Sequence, residues 1–94
     1  MSDPTNLQAY AKEGKKVPPT GPYKIRINKA FFDYPEPMIS GAQILKLAEK
    51  DPVKNAAYQF VHGKPQRVQL GQEVDLTAPG VERFETLPLD QTEG

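Results

Sequence analysis

Residues 23–50 read YKIRINKAFFDYPEPMISGAQILKLAEK, and the order of patterns in this stretch decides the fold. Tyr23, Ile25 and Ile27 alternate with Lys24, Arg26 and Asn28, the period of two that marks a strand with one dry face and one wet face. Lys29 and Ala30 offer a short turn, and FFDY (residues 31–34) pairs back as the second strand of a hairpin until Pro35 and Pro37 end it. The period then changes. The Ser40 hydroxyl can accept an N–H of a first helical turn, and Gln43 stands three residues on to complete a capping box. Behind that cap Ile44, Leu47 and Ala48 share one helical face, widened by Leu45, while Lys46, Glu49 and Lys50 stay outside. The pattern predicts a helix of about three turns, closed before Pro52.

Downstream, AYQFVHGKPQRVQL (residues 57–70) sets Tyr58 and Phe60 against Gln59 and Val61, turns around Gly63–Pro65, and continues as a short strand with Val68 and Leu70 inward. GQEVDLTAPG (residues 71–80) carries turn chemistry at both ends. VERFETL (residues 81–87) supplies a last strand, with Phe84 and Thr86 on one face and Arg83, Glu85 and Leu87 on the other. The order is therefore strand, strand, helix, strand, short strand, strand. An α+β domain in which one main helix lies across a mixed sheet of four to five strands is the β-grasp, with its first and last strands parallel at the centre. The predicted core is Tyr23, Ile25, Ile27, Ile44, Leu47, Phe60, Leu70 and Phe84. Residues 1–22 hold four prolines, two glycines and three lysines with no sustained apolar period, and are expected to be a disordered arm dispensable for folding. The division expected is arm 1–22, domain 23–87 and flexible tail 88–94.

The totals narrow the function. Ninety-four residues make one domain, with little room for a catalytic cleft and its supporting shell. The chain has no cysteine, which removes disulfides, thiolate catalysis and thiolate metal sites. With no run long and apolar enough for a membrane span, and no leader-like start, a soluble cytoplasmic protein is expected. Net charge is zero but divided: residues 1–70 hold eleven Lys/Arg against six Asp/Glu, and residues 71–94 hold one Arg against six Asp/Glu. A general nucleic-acid binder would need a concentrated basic face, so neither nucleic acid nor membrane is an expected partner. The acidic end asks instead for a basic partner surface.

Over residues 23 to about 87 the sequence resembles ubiquitin-like modifiers, in particular the bacterial multiubiquitin domains found beside ubiquitination-type enzymes. The resemblance rests on the 23–50 stretch, on AYQFVHGKP (residues 57–65) and above all on VDLTAPGVERFET (residues 74–86). It implies that the chain is not itself an enzyme and carries no cofactor. Its reacting group would be the Gly94 carboxylate, adenylated by an activating enzyme with ATP, passed to a conjugating enzyme and joined to amines of target proteins, with a deconjugating protease to reverse the step. Glycine suits such a position, because no Cβ blocks the approach to its carbonyl. The closing LPLDQTEG (residues 87–94) spans roughly 27 Å when extended, and Leu87, Leu89, Asp90 and Glu93 are the tail residues that partner enzymes would read. Unlike the arginine-containing tail of ubiquitin, this one is acidic, which points to dedicated partners. A sulfur carrier, with Gly94 as a thiocarboxylate, and a non-covalent adaptor are the alternatives.

Other residues read plainly. His62, the only histidine, sits beside Gly63 and is expected on the surface or in a turn. Ser2 and Ser40, the only serines, lie in the arm and at a helix cap. Lys12, Lys15 and Lys16 are candidate acceptors for further modifiers, although solvated charge is their ordinary role.

Overall fold

A computed structural model describes residues 5–14, 16–19, 21–78 and 80–89. The alternating stretch forms β2 (Tyr23–Ile27), with Tyr23, Ile25 and Ile27 buried, and β3 (Ala30–Tyr34) returns antiparallel beside it in the register Ile25↔Phe32. The turn between them is made by Asn28 at φ 59°, a left-handed conformation that asparagine tolerates better than most residues. After Pro35 come β4 (Met38–Ser40) and the main helix α2 (Gly41–Leu47). The chain continues through β5 (Asn55–Val61), β6 (Lys64–Val68), β7 (Glu73–Asp75) and β8 (Val81–Pro88). β8 runs parallel to β2 through Ile27↔Phe84 and antiparallel to β5, and β6 closes the far edge of the sheet. First and last strands are thus parallel at the centre of a mixed sheet with one main helix, a ubiquitin-like β-grasp.

Two short strands, β4 and β7, pair with each other apart from this sheet, Ile39 against Val74. α2 is two turns long rather than three. Ser40 accepts the Gln43 N–H at 3.1 Å, and the Ser40 N–H donates to the Gln43 side chain at 2.9 Å, which completes the expected capping box. The helix stops early because Glu49 turns left-handed at φ 60°, with the Glu49 N–H donating to the Lys46 carbonyl and the Lys50 N–H to that of Leu45. That pair of bonds is the Schellman closure, usually built on glycine. Glu49→Gly should therefore raise stability by about 0.5–1 kcal/mol. A calorimetric midpoint several degrees higher is the expected reading; an unchanged or lower midpoint would show that Glu49 is not strained.

The core gathers Tyr23, Ile25, Ile27, Ile44 and Phe84, as anticipated, with Ile39, Leu45, Val68, Val74, Leu76 and Val81. Three expected core residues differ. Leu47 is only partly buried, because Gly41, Ile44 and Leu45 form the inward side of the shortened helix. Phe60 is half-buried, on the face of the sheet opposite the core, paired with Arg83. Leu70 is 48% exposed; its carbonyl accepts the Ala42 N–H at 3.2 Å and that of Gln72 accepts the Gly41 N–H, so this loop serves the helix start with its backbone and turns the side chain outward. The close approach requires glycine at 41, where a Cβ would overlap the Gln69 carbonyl oxygen.

The largest departure is in residues 1–22. Instead of a disordered arm, the described part contains β1 (Thr5–Asn6) and a second helix, α1 (Leu7–Glu13). β1 pairs parallel to β2 through Thr5↔Tyr23 and Asn6↔Lys24. Since β3 already pairs with every residue of β2, β1 takes the other edge, in line with the start of β8. The Asn6 side chain caps α1 by accepting the Ala9 N–H at 3.1 Å, and Gly14 closes it at φ 67°. Leu7 and Val17 join the core, and the Pro18 carbonyl accepts the Tyr23 hydroxyl at 2.9 Å.

Candidate functional site

The residues expected to be read by partners lie at the end of β8, so what holds that strand determines where they are presented. On one side Asn28 clasps it. The Asn28 N–H donates to the Phe84 carbonyl at 2.9 Å, its side-chain amide donates to the Thr86 hydroxyl at 3.0 Å, and its side-chain oxygen accepts the Thr86 N–H at 2.9 Å. The asparagine thereby continues the β2 ladder one step past the strand's own end. On the other side β5 follows β8 as far as Asn55↔Pro88, and beyond it the Leu89 N–H donates to the Lys54 carbonyl at 2.8 Å. The expected boundary at residue 88 therefore moves: Pro88 is the last residue of a strand and Leu89 is still fastened. Both leucines at this end show their side chains, Leu87 at 47% and Leu89 at 37% exposure. Asp90, Glu93 and Gly94 lie outside the described residues, as does Lys15. Lys12, in the last turn of α1, and Lys16 are exposed.

Among the described residues there is no pocket and no group of His, Asp and Glu that could hold a metal ion. Burial, aided by the charge of Asp75, pushes the Tyr23 phenol above its ordinary range. Burial likewise raises that of Tyr34, assisted by Glu36 and Glu73 and opposed by a hydrogen bond with Gln43. Both phenols therefore stay protonated at neutral pH. His62 lies in the β5–β6 turn, its N–H donating to the Gly80 carbonyl at 3.0 Å. Ser40 is spent on the helix cap. No described helix is long and apolar enough to cross a membrane. The geometry offers one presented strand end rather than a cleft.

A family model described as multiubiquitin matches residues 23–88. The chain belongs to the multiubiquitin family. No curated protein and no solved structure matches it. The multiubiquitin domain begins at the first residue of β2 and ends at the last of β8, so β1 and α1 are additions to it, although Leu7 and Val17 share its core. The sequence also held signals of features that were not read from it. Asn6 and Gly14 bracket a helix whose Leu7, Tyr10 and Ala11 follow helical spacing. No comparable signal foretold the clasp between Asn28 and Thr86, which joins residues 58 positions apart.

Proposed function

We propose that this protein is a ubiquitin-like modifier acting in a cytoplasmic, bacterial ubiquitination-like pathway, with Gly94 as its reacting terminus and no catalytic activity of its own. The observation that carries the reading is the multiubiquitin domain over residues 23–88, whose last strand leads with two exposed leucines into the acidic stretch DQTEG. In the first step the Gly94 carboxylate attacks the α-phosphorus of ATP, forming an acyl adenylate and releasing pyrophosphate. A thiol or hydroxyl of the enzyme then attacks the carbonyl and AMP leaves. Finally a target amine attacks that ester or thioester, an amide forms, and the enzyme nucleophile departs with the proton. The chain's part is to present the carboxyl group: from Leu89, five residues reach at most about 17 Å into an enzyme channel.

The test mixes the protein with ATP and with purified activating and conjugating enzymes of a bacterial ubiquitination-like pathway, followed by intact mass and gel shift. The wild type should form the adenylate, the enzyme-bound ester and an amide on lysine. Deletion of Gly94 should abolish all three and leave thermal unfolding unchanged. Gly94→Val should slow transfer strongly, because branching at Cβ crowds the carbonyl under attack. Equal activity of wild type and deletion would remove the modifier reading and favour a non-covalent adaptor.

A further inference from the structure

The sheet face opposite the core carries a constellation that the carboxylate chemistry does not use. Ile27 and Phe84 are paired and buried, so alternation turns their neighbours Arg26 and Arg83 to the other face. The ladders extend that row: Phe31 pairs with Arg26, Phe60 with Arg83, and Pro65 with Phe60. The adjacent row sets Glu85, Tyr58 and Arg67 side by side. The Arg83 guanidinium stacks on the Phe60 ring at 4.0 Å, and the Lys24 ammonium lies 5.7 Å from the centre of the Phe31 ring. Phe31 is 49% exposed. On this face the four cations Lys24, Arg26, Arg67 and Arg83 stand against the three acids Asp33, Glu82 and Glu85. Arg83 is held between Glu82 at 3.5 Å and Glu85 at 3.6 Å, which leaves Lys24, Arg26 and Arg67 as the cations for an incoming carboxylate. Aromatic rings edged by cations suit an extended acidic peptide with an apolar residue. Such a segment exists in the same chain: Leu89, Asp90 and Glu93 fall in residues 89–94, which hold no cation.

We propose that the outer sheet face of one copy binds the acidic C-terminal segment of a second copy, linking copies non-covalently. Leu89 of the incoming segment meets the rings of Phe31 and Phe60, and its carboxylates meet Arg26 and Arg67. No ATP or enzyme takes part, so the association and the conjugation reading can each fail without the other.

The full chain, isotope-labelled for NMR, is titrated with the peptide LPLDQTEG, and its mass is followed by sedimentation across a concentration series. Amides of residues 24–26, 31, 58–60 and 83 should shift, and the average mass should rise above the monomer. Raising salt from about 50 to about 500 mM should weaken binding several-fold, since screening acts on exposed charges. The double variant K24E/R67E should weaken it about tenfold with its thermal midpoint kept, and a peptide with Asp90→Lys and Glu93→Lys should not bind. Absence of shifts on this face, shifts confined to the α2 side, or a uridine octanucleotide moving these amides where the peptide does not would each overturn the proposal.

Discussion

Phe84→Ala is expected to cost about 3–5 kcal/mol, the range for removing a fully enclosed aromatic ring. The residue is 0% exposed and sits where the parallel and antiparallel halves of the sheet meet, opposite Ile27 on β2 and Gln59 on β5. Its backbone carbonyl also receives the Asn28 N–H, so relaxation around the cavity is restrained by a ladder on each side. Domains of this size have on the order of 5–10 kcal/mol in total, and the variant should lose half or more of that. Urea unfolding with an unchanged slope and a sharply lower midpoint is the expected result. A loss under about 1 kcal/mol would mean that the site collapses without a cavity, contrary to its central position.

How far such a core could be read in advance depended on whether each element showed its faces. β2 did, because polar and apolar residues alternate strictly from Tyr23 to Asn28. α2 did, because the Ser40–Gln43 box marks its start. β5 did not. Ala56 and Ala57 are both buried, on opposite faces, and the run AAYQFV offers no clean alternation. After Phe60 the register shifts, since Phe60 pairs with Arg83 but Val61 with Val81; β8 thus holds one extra residue, Glu82, and Val81 comes to the core face, and a bulge of this kind cannot be counted from residue types. β4 and β7 are three residues each, too short for any period, and exist because residues 35 positions apart meet across Ile39↔Val74. Leu70 was misplaced by continuing the alternation past Val68, where β6 ends and the chain bends to serve the start of α2.

The candidate site was legible to a different degree. Leu87 could be placed at the end of the last strand because the strand pattern runs into a polar stretch, whereas Leu89 was expected in the flexible tail and is instead fastened just past β8. What the pattern lacks is the fastening by Asn28 and Lys54, since side-chain and loop hydrogen bonds across the fold leave no periodic trace. The outer sheet face was equally hidden. Phe60 reads as core by hydrophobicity, and only the cross-strand register shows it beside Arg83, and Phe31 beside Arg26, on the opposite face.

The N-terminal segment makes the second large prediction, because composition and structure point in opposite directions there. By composition, with its prolines and lysines, it should be removable. By structure, Leu7 is 1% exposed and anchors a helix that packs along β8 and β2, while β1 fills the β2 edge ahead of Phe84. Burial of a leucine side chain contributes roughly 1.5–3 kcal/mol, and its truncation in a packed site costs about 2–5 kcal/mol. Only two ladder pairs hold β1, and a seven-residue helix is not stable alone, so Leu7 and Val17 must carry most of the docking. Leu7→Ala should therefore lower stability by about 2–4 kcal/mol, whereas Lys12→Ala, at an exposed position of the same helix, should change it by less than about 0.5 kcal/mol. Amide exchange supplies the second reading: the helical N–H groups of residues 10–13 should be protected in the wild type and in Lys12→Ala, and lose protection in Leu7→Ala while α2 keeps it. If Leu7→Ala and Lys12→Ala proved equally harmless, the segment would be the removable arm that its composition suggests. If only Leu7→Ala is costly, the multiubiquitin domain of residues 23–88 has a core that its N-terminal extension completes.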